Sequence, residues 1–195
     1  LNGTLSVQAI NGVSTFSGVS YTKTSPGNLY VQASLGALTS ACSGALTITP
    51  ASATSLIVDS ISNPLTAGVA SDVKVTAIDE FGNVDTNYVG TVGFASSDTK
   101  ITTTLPSPYT FVAGDNGVKT FVGGVKLTTS GNQTVSASDG LISGAQTGIV
   151  VNNAGGSKYV IINPTDGTVD NPITVTVQLH DQYDNIVTTG ADKDK

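Results

Sequence analysis

Hydrophobic positions in this chain recur at every second residue over short runs. In "ITVTVQL" at 173–179, Ile173, Val175, Val177 and Leu179 fall on one face and Thr174, Thr176 and Gln178 on the other. That two-residue period marks a half-buried strand. β-Branched residues fill the runs, and no stretch keeps helical spacing with capping residues. Turn clusters such as "FGN", "DNG", "SGN" and "SDG" separate the runs. The pattern predicts strands near 54–61, 71–79, 88–95, 108–113, 117–128, 132–138 and 145–152. Phe16 and Phe121 stand three residues beyond Val13 and Val118 and break the alternation. Beside so many glycines this reads as a β-bulge.

The runs also repeat. "NGVSTFSGVSYTKT" at 11–24 returns as "NGVKTFVGGVKLTT" at 116–129, and "NLYVQASLG" at 28–36 as "NQTVSASDG" at 132–140. "ALTITPASATSLIVD" at 45–59 runs parallel to "GIVVNNAGGSKYVII" at 148–162, and "VKVTAIDEFGNV" at 73–84 matches "VTVQLHDQYDNI" at 175–186. The spacing drifts slightly, as short loop insertions such as the doubled Gly123-Gly124 would cause. Recurrence at this period is the mark of a repeat array. Residues 52–153 read as one complete unit, 1–51 as the C-terminal half of a preceding unit and 154–195 as the N-terminal half of a following one. The chain is expected to be a window on a longer tandem array.

Seven short antiparallel strands in about 100 residues fit a two-sheet sandwich of the immunoglobulin type, here without the Cys…Trp…Cys core of antibody domains. The strand "VKVTAID" running into "EFGNV", the later "DNGVKTF" and then "TVSASDG" resemble the bacterial immunoglobulin-like repeats. Those occur in invasin- and intimin-type adhesins, in surface-layer proteins and in large secreted repeat proteins; filamin repeats are more distantly similar. The resemblance covers essentially the whole chain. It implies an all-β fold of tandem immunoglobulin-like sandwiches and an extracellular or cell-surface setting. It transfers no ligand site, because the matched positions are turn and core positions.

Composition narrows the function classes. Charged residues make up 11% of the chain and glycines number 22, so Ser, Thr, Asn and Gln must cover much of the surface, unlike a typical cytoplasmic enzyme. Net charge is −6, and the eight Lys and Arg residues form no cluster. Nucleic-acid binding, which needs a basic footprint, is excluded. No apolar run approaches the ~18 residues of a membrane-spanning helix, and no signal stretch is visible. Cys42 is the sole cysteine and His180 the sole histidine, which makes a zinc site untenable. Within "TSACSGAL", Cys42 reads as a half-buried, inert thiol.

The motif Asp-x-aromatic-x-Asn-aliphatic occurs twice, at Asp79 to Val84 and Asp181 to Ile186. Asp and Asn bond their own backbone in tight turns, and Gly82 and Asp184 stand where such a turn calls for positive φ. Turn physics accounts for every repeated residue. The rival is calcium, which favours clustered carboxylate and carbonyl oxygens. Asp79, Asp85, Asp181 and Asp184 are candidate ligands, as are Asp166 and Asp170 in "PTDGTVDNP" at 164–172. Against that reading, Asp85 corresponds to Val187 in the second copy, so the oxygen set does not repeat. No cofactor is required.

Catalysis lacks its parts: His180 has no evident partner or cleft, and no G-x-S-x-G elbow is present. The chain reads as non-enzymatic. Asn2 and Asn132 open glycosylation triplets, usable only where the machinery exists. The expected role is a structural segment of an extracellular repeat protein: a stalk, fibre or surface-layer component. Its partners would be adjacent repeats or other copies, which could complete the half units head to tail by strand addition; a truncated view of a long array explains the halves as well. The alternatives are an adhesive module for a receptor or glycan, with Tyr88, Tyr109 and Tyr183 as candidate exposed aromatics, and an accessory module of a secreted enzyme.

Overall fold

A computed structural model describes residues 2–194. The chain is all-β, with strands β1 (Ser25–Leu29), β2 (Gln32–Ala33), β3 (Ala41–Cys42), β4 (Leu46–Ile48), β5 (Ser55–Asp59), β6 (Leu65–Thr66), β7 (Ala70–Ile78), β8 (Thr91–Ser96), β9 (Tyr109–Thr110), β10 (Val118–Lys126), β11 (Gly131–Ser138), β12 (Ser143–Asn152), β13 (Gly156–Ile162) and β14 (Thr176–Asp181). In the central stretch, β10-β7-β5 form one sheet and β6-β12-β11-β8-β9 the other. All the pairings in these two sheets are antiparallel except the short β12–β6 contact.

The alternation read from the sequence sets the inner faces. Leu56, Val58, Val73, Val75, Ala77 and Val125 from one sheet meet Val92, Val135, Ala137, Ile149 and Val151 from the other in one closed core. A fully buried valine contributes about 1.5–3 kcal/mol. Edge-to-face ring contacts run from Tyr88 to Phe111, Tyr109, Phe121 and Phe94, with centroids 5.0–5.7 Å apart. Tyr88 and Tyr109 therefore belong to the packing, a correction to their candidacy as exposed binding aromatics. The bulge expected at Phe121 is present: the β10–β7 register shifts between Phe121 and Val125, across Gly123-Gly124.

Most predicted boundaries fall within two residues of the observed ones; two differ by three. The 108–113 strand shrinks to β9 because a 3-10 turn at Ala113–Asp115 takes over. Asp115 fixes that turn by accepting from Val112 N and Tyr109 Oη at 3.0 and 2.9 Å. The strand from 88 begins at Thr91, since Asp85 and its neighbours hold the preceding residues in a turn.

The flanking segments copy the register of the central one. Leu29 faces Leu46, as its equivalent Gln133 faces Ile149; Ser25 faces Ile48 across a register shift that the central ladder lacks at this point. Gln32 and Ala33 face Cys42 and Ala41, as Ser136 and Ala137 face Ala145 and Gly144. In the trailing segment Lys158 faces His180, Tyr159 faces Leu179 and Ile161 faces Val177, as Ser55, Leu56 and Val58 face Ile78, Ala77 and Val75. A one-residue slip would have exchanged the two faces, so matching registers place the repeated sequence in repeated structure.

The faces differ in cover. Val75 is 0% exposed but its equivalent Val177 is 53%; Val58 is 4% exposed but Ile161 is 61%; Val135 is 0% exposed but Val31 is 43%. The apolar face read in 173–179 is thus open in this chain, and the strand runs from Thr176 rather than Ile173. Cys42 is exposed, not half-buried, because among the described residues β2 and β3 pair only with each other and carry no opposing sheet.

Candidate inter-unit site

The two acidic turns are built alike, atom by atom. Asp79 Oδ1 accepts from the backbone N–H groups of Phe81 and Asn83 at 2.9 and 2.8 Å. Its Oδ2 accepts from Asn83 Nδ2 at 2.9 Å and from Ala51 N in the connecting segment at 3.1 Å. In the second copy, Asp181 Oδ1 accepts from Tyr183 N and Asn185 N at 2.8 and 2.9 Å, and Oδ2 from Asn185 Nδ2 and Ala154 N, both at 2.8 Å. The left-handed position of the turn is Gly82 at φ 77° in one copy and Asp184 at φ 65° in the other, as the turn chemistry called for.

Both aspartates are buried, Asp79 to 2% exposure and Asp181 to 0%. Burial alone would raise their carboxyl pKa values. The hydrogen bonds from the Asn83 side chain and from Asn83, Ala51 and Phe81 N–H outweigh it and hold Asp79 below the ordinary range. Those from Asn185, Ala154 and Tyr183 do the same for Asp181. Four donors per carboxylate, three backbone N–H groups and one asparagine amide, match its lone-pair capacity.

The asparagine at the end of each turn reaches out of its own unit. Asn83 Nδ2 donates to Thr22 O at 3.0 Å and Asn83 Oδ1 accepts from Thr24 N at 3.3 Å. Asn185 Nδ2 donates to Thr128 O at 2.8 Å and Asn185 Oδ1 accepts from Ser130 N at 2.9 Å. Allowing for the extra Gly124, Thr128 and Ser130 are the equivalents of Thr22 and Thr24. A lysine completes each contact: Lys23 Nζ donates to Phe81 O at 3.3 Å, and Lys100 Nζ to Tyr183 O. The segment carrying the turn is therefore fastened to the strand end of the segment before it, twice, in the same way.

Asp98 builds the receiving edge. Its Oδ2 accepts from Thr128 N and Thr129 N at 2.6 and 2.9 Å, and its Oδ1 from Thr129 Oγ1 at 2.6 Å. Burial would raise its pKa, but the Thr129 hydroxyl and the Thr128 and Thr129 N–H groups bring it down to about 2.

The connecting segments are pinned by different residues doing one job. Asp85 accepts from Ala53 N at 2.9 Å and Asn87 N at 3.0 Å. Val187 in the second copy cannot accept, and Asn153 on the connector does so instead, taking Thr188 N, Thr189 N and Thr189 Oγ1 on its Oδ1 at 2.8–3.0 Å.

The remaining sequence candidates lie apart. Asp184 is exposed and pairs with Lys158. Asp166 and Asp170 are exposed in the 164–172 stretch, where Asp170 takes φ 67° in a turn closed by Asn171 N to Thr168 O at 3.2 Å. Among the described residues no three His, Cys, Asp or Glu side chains converge. His180 Nε2 lies 3.0 Å from Gln178 Oε1. Asn2 and Asn132 are both exposed, Asn132 within β11.

Sequence reasoning missed the outward reach of Asn83 and Asn185 and the roles of Lys23, Lys100 and Asp98. The asparagine had a legible signal, since a turn needs the aspartate and the left-handed residue but not a second repeated amide. The lysines had none, because they come from non-equivalent positions.

No protein-family model matches the chain, and no curated protein does. Among solved structures, domains 4–9 of the surface layer protein SbsC are similar at 20% sequence identity with a TM-score of 0.37. The likeness covers 83% of this chain and 25% of that one. The chain spans about a quarter of that structure's length, and so loose a superposition does not bear on function.

Proposed function

We propose that this chain is a non-enzymatic structural segment of an extracellular or cell-surface repeat protein, in which immunoglobulin-like units (1–51, 52–153 and 154–195 being back half, whole and front half) follow one another in fixed orientation. The duplicated acidic turn carries the reading. Its aspartate holds the connector and its asparagine holds the preceding unit, so each turn works as a fastening between beads. A Ser/Thr-covered surface with few charges makes such a rod insensitive to salt, which suits a stalk, fibre or surface layer.

The open faces of the flanking segments favour a finer form of the reading. Positions that the central sandwich buries stand uncovered at Val31, Ile161 and Val177, and a complementary half unit is what the repeat would lay on them. In a head-to-tail arrangement another copy of the chain supplies that half, and a contact of that kind propagates into filaments. Sedimentation across a wide concentration range tests this: growth into linear oligomers is expected, and a strict monomer throughout contradicts it. Small-angle scattering of the monomeric fraction tests the rod itself. A single extended shape is expected, and a heterogeneous ensemble contradicts fixed succession.

A further inference from the structure

We propose that the loop around Gly68 is a recognition pocket for the aromatic side chain of the following unit's acidic turn, and that the pairing of Gly68 with Tyr183 selects which unit docks there. The inference rests on the reading of the chain as docked units and adds the contact that chooses the neighbour.

Gly68 sits at φ 82°, and a Cβ built on it would overlap Tyr183 Oη, Cζ and Cε2. The loop cannot retreat to make room. Ala67 N donates to Asn152 O, Gly68 N to Leu127 O, both at 2.8 Å, and Val69 N to Thr66 O at 3.0 Å. These bonds tie it to β12 on one side and to the end of β10 on the other. The Tyr183 ring packs against the core cluster of the central sandwich, while Lys100 holds its carbonyl and Asn185 holds Thr128 and Ser130.

Asn83 and Lys23 make the equivalent bonds to the leading segment. The asparagine and lysine fasten any strand end of this shape, because they bind its backbone. The glycine pocket reads a side chain. Tyr183 Oη is the atom nearest the position a Cβ would take, so a side chain on the loop excludes the tyrosine first.

The test is amide hydrogen exchange in the 195-residue chain, read at Ser130, whose N–H bonds Asn185 across the junction. Gly68→Ala and Tyr183→Ala should each raise Ser130 exchange about tenfold or more, with the amides of β7 and β11 keeping their protection. In the Tyr183→Ala background, Gly68→Ala should add less than about twofold, since the ring it excludes is gone. An equal rise in both backgrounds assigns the effect to backbone strain in the loop and overturns the proposal. Unchanged Ser130 exchange in Tyr183→Ala overturns it too, and that variant carries the test even where Gly68→Ala does not fold. If the unmutated chain exchanges Ser130 at the free-peptide rate, the docked-unit reading itself fails and this inference falls with it.

Discussion

Asn185→Ala removes two short bonds that cross the junction, a long one from Lys100 Nζ at 3.5 Å, and one donor to Asp181 within the turn. Thr128 O loses its donor at 2.8 Å and Ser130 N loses its acceptor at 2.9 Å. Each such bond contributes about 1 kcal/mol net, and a buried group left unpaired costs about 1–3 kcal/mol. Asn185 and Thr128 are buried while Ser130 is half-buried, so water relieves the penalty mainly at Ser130 N, and the loss of docking free energy is about 2–3 kcal/mol. The trailing segment reports it. β13 and β14 form a two-stranded ladder with open apolar faces, and an isolated hairpin is marginal in water. Its protection therefore derives from docking. Native-state hydrogen exchange should show the β13–β14 amides exchanging about 30–150 times faster in Asn185→Ala, at about tenfold per 1.4 kcal/mol. Amides of β7 and β11 in the central sandwich should move little. A change below about threefold in β13–β14, or an equal loss in the central core, would refute the reasoning.

Asp98 makes stability pH-dependent. Its folded pKa of about 2 lies below the unfolded value, so its contribution is full above about pH 4 and is lost as pH falls through about 2. After solvent screening that contribution is about 1–2 kcal/mol. Urea midpoints of Asp98→Asn and the unmutated chain should differ at pH 7 and converge near pH 2. Tyr88→Phe should cost about 1–2 kcal/mol in urea denaturation, since Tyr88 Oη donates to Asp139 Oδ2 at 2.7 Å from the core edge. Because Asp79 and Asp181 already accept full sets of hydrogen bonds, millimolar calcium or a chelator should leave the thermal midpoint within about 1 °C; a rise of several degrees would reinstate a calcium site.

Strand alternation and recurrence made the fold legible. The two-residue period placed the inner valines of β5, β7 and β11, and the repeat made the flanking registers follow from the central one. What failed depended on partners that the local sequence does not show. Val175 and Val177 carry the pattern of a buried face, yet burial needs an opposing sheet and none among the described residues covers them. Cys42 failed for the same reason. The acidic turn was half legible: its internal hydrogen bonds and positive φ follow from Asp-x-aromatic-x-Asn chemistry. Its outward bonds fall on backbone atoms of Thr22, Thr24, Thr128 and Ser130, which carry no residue signature at all.

The central claim is that successive units are held in one orientation by these turns. The most direct measurement is a pulsed electron–electron distance distribution between nitroxides on Leu141→Cys in the central segment and Ile161→Cys in the trailing one, with Cys42→Ser removing the native thiol; both labelled positions are exposed. The account predicts one narrow distance population that broadens on Asn185→Ala. A broad, multi-population distribution in the otherwise unmutated chain would contradict it.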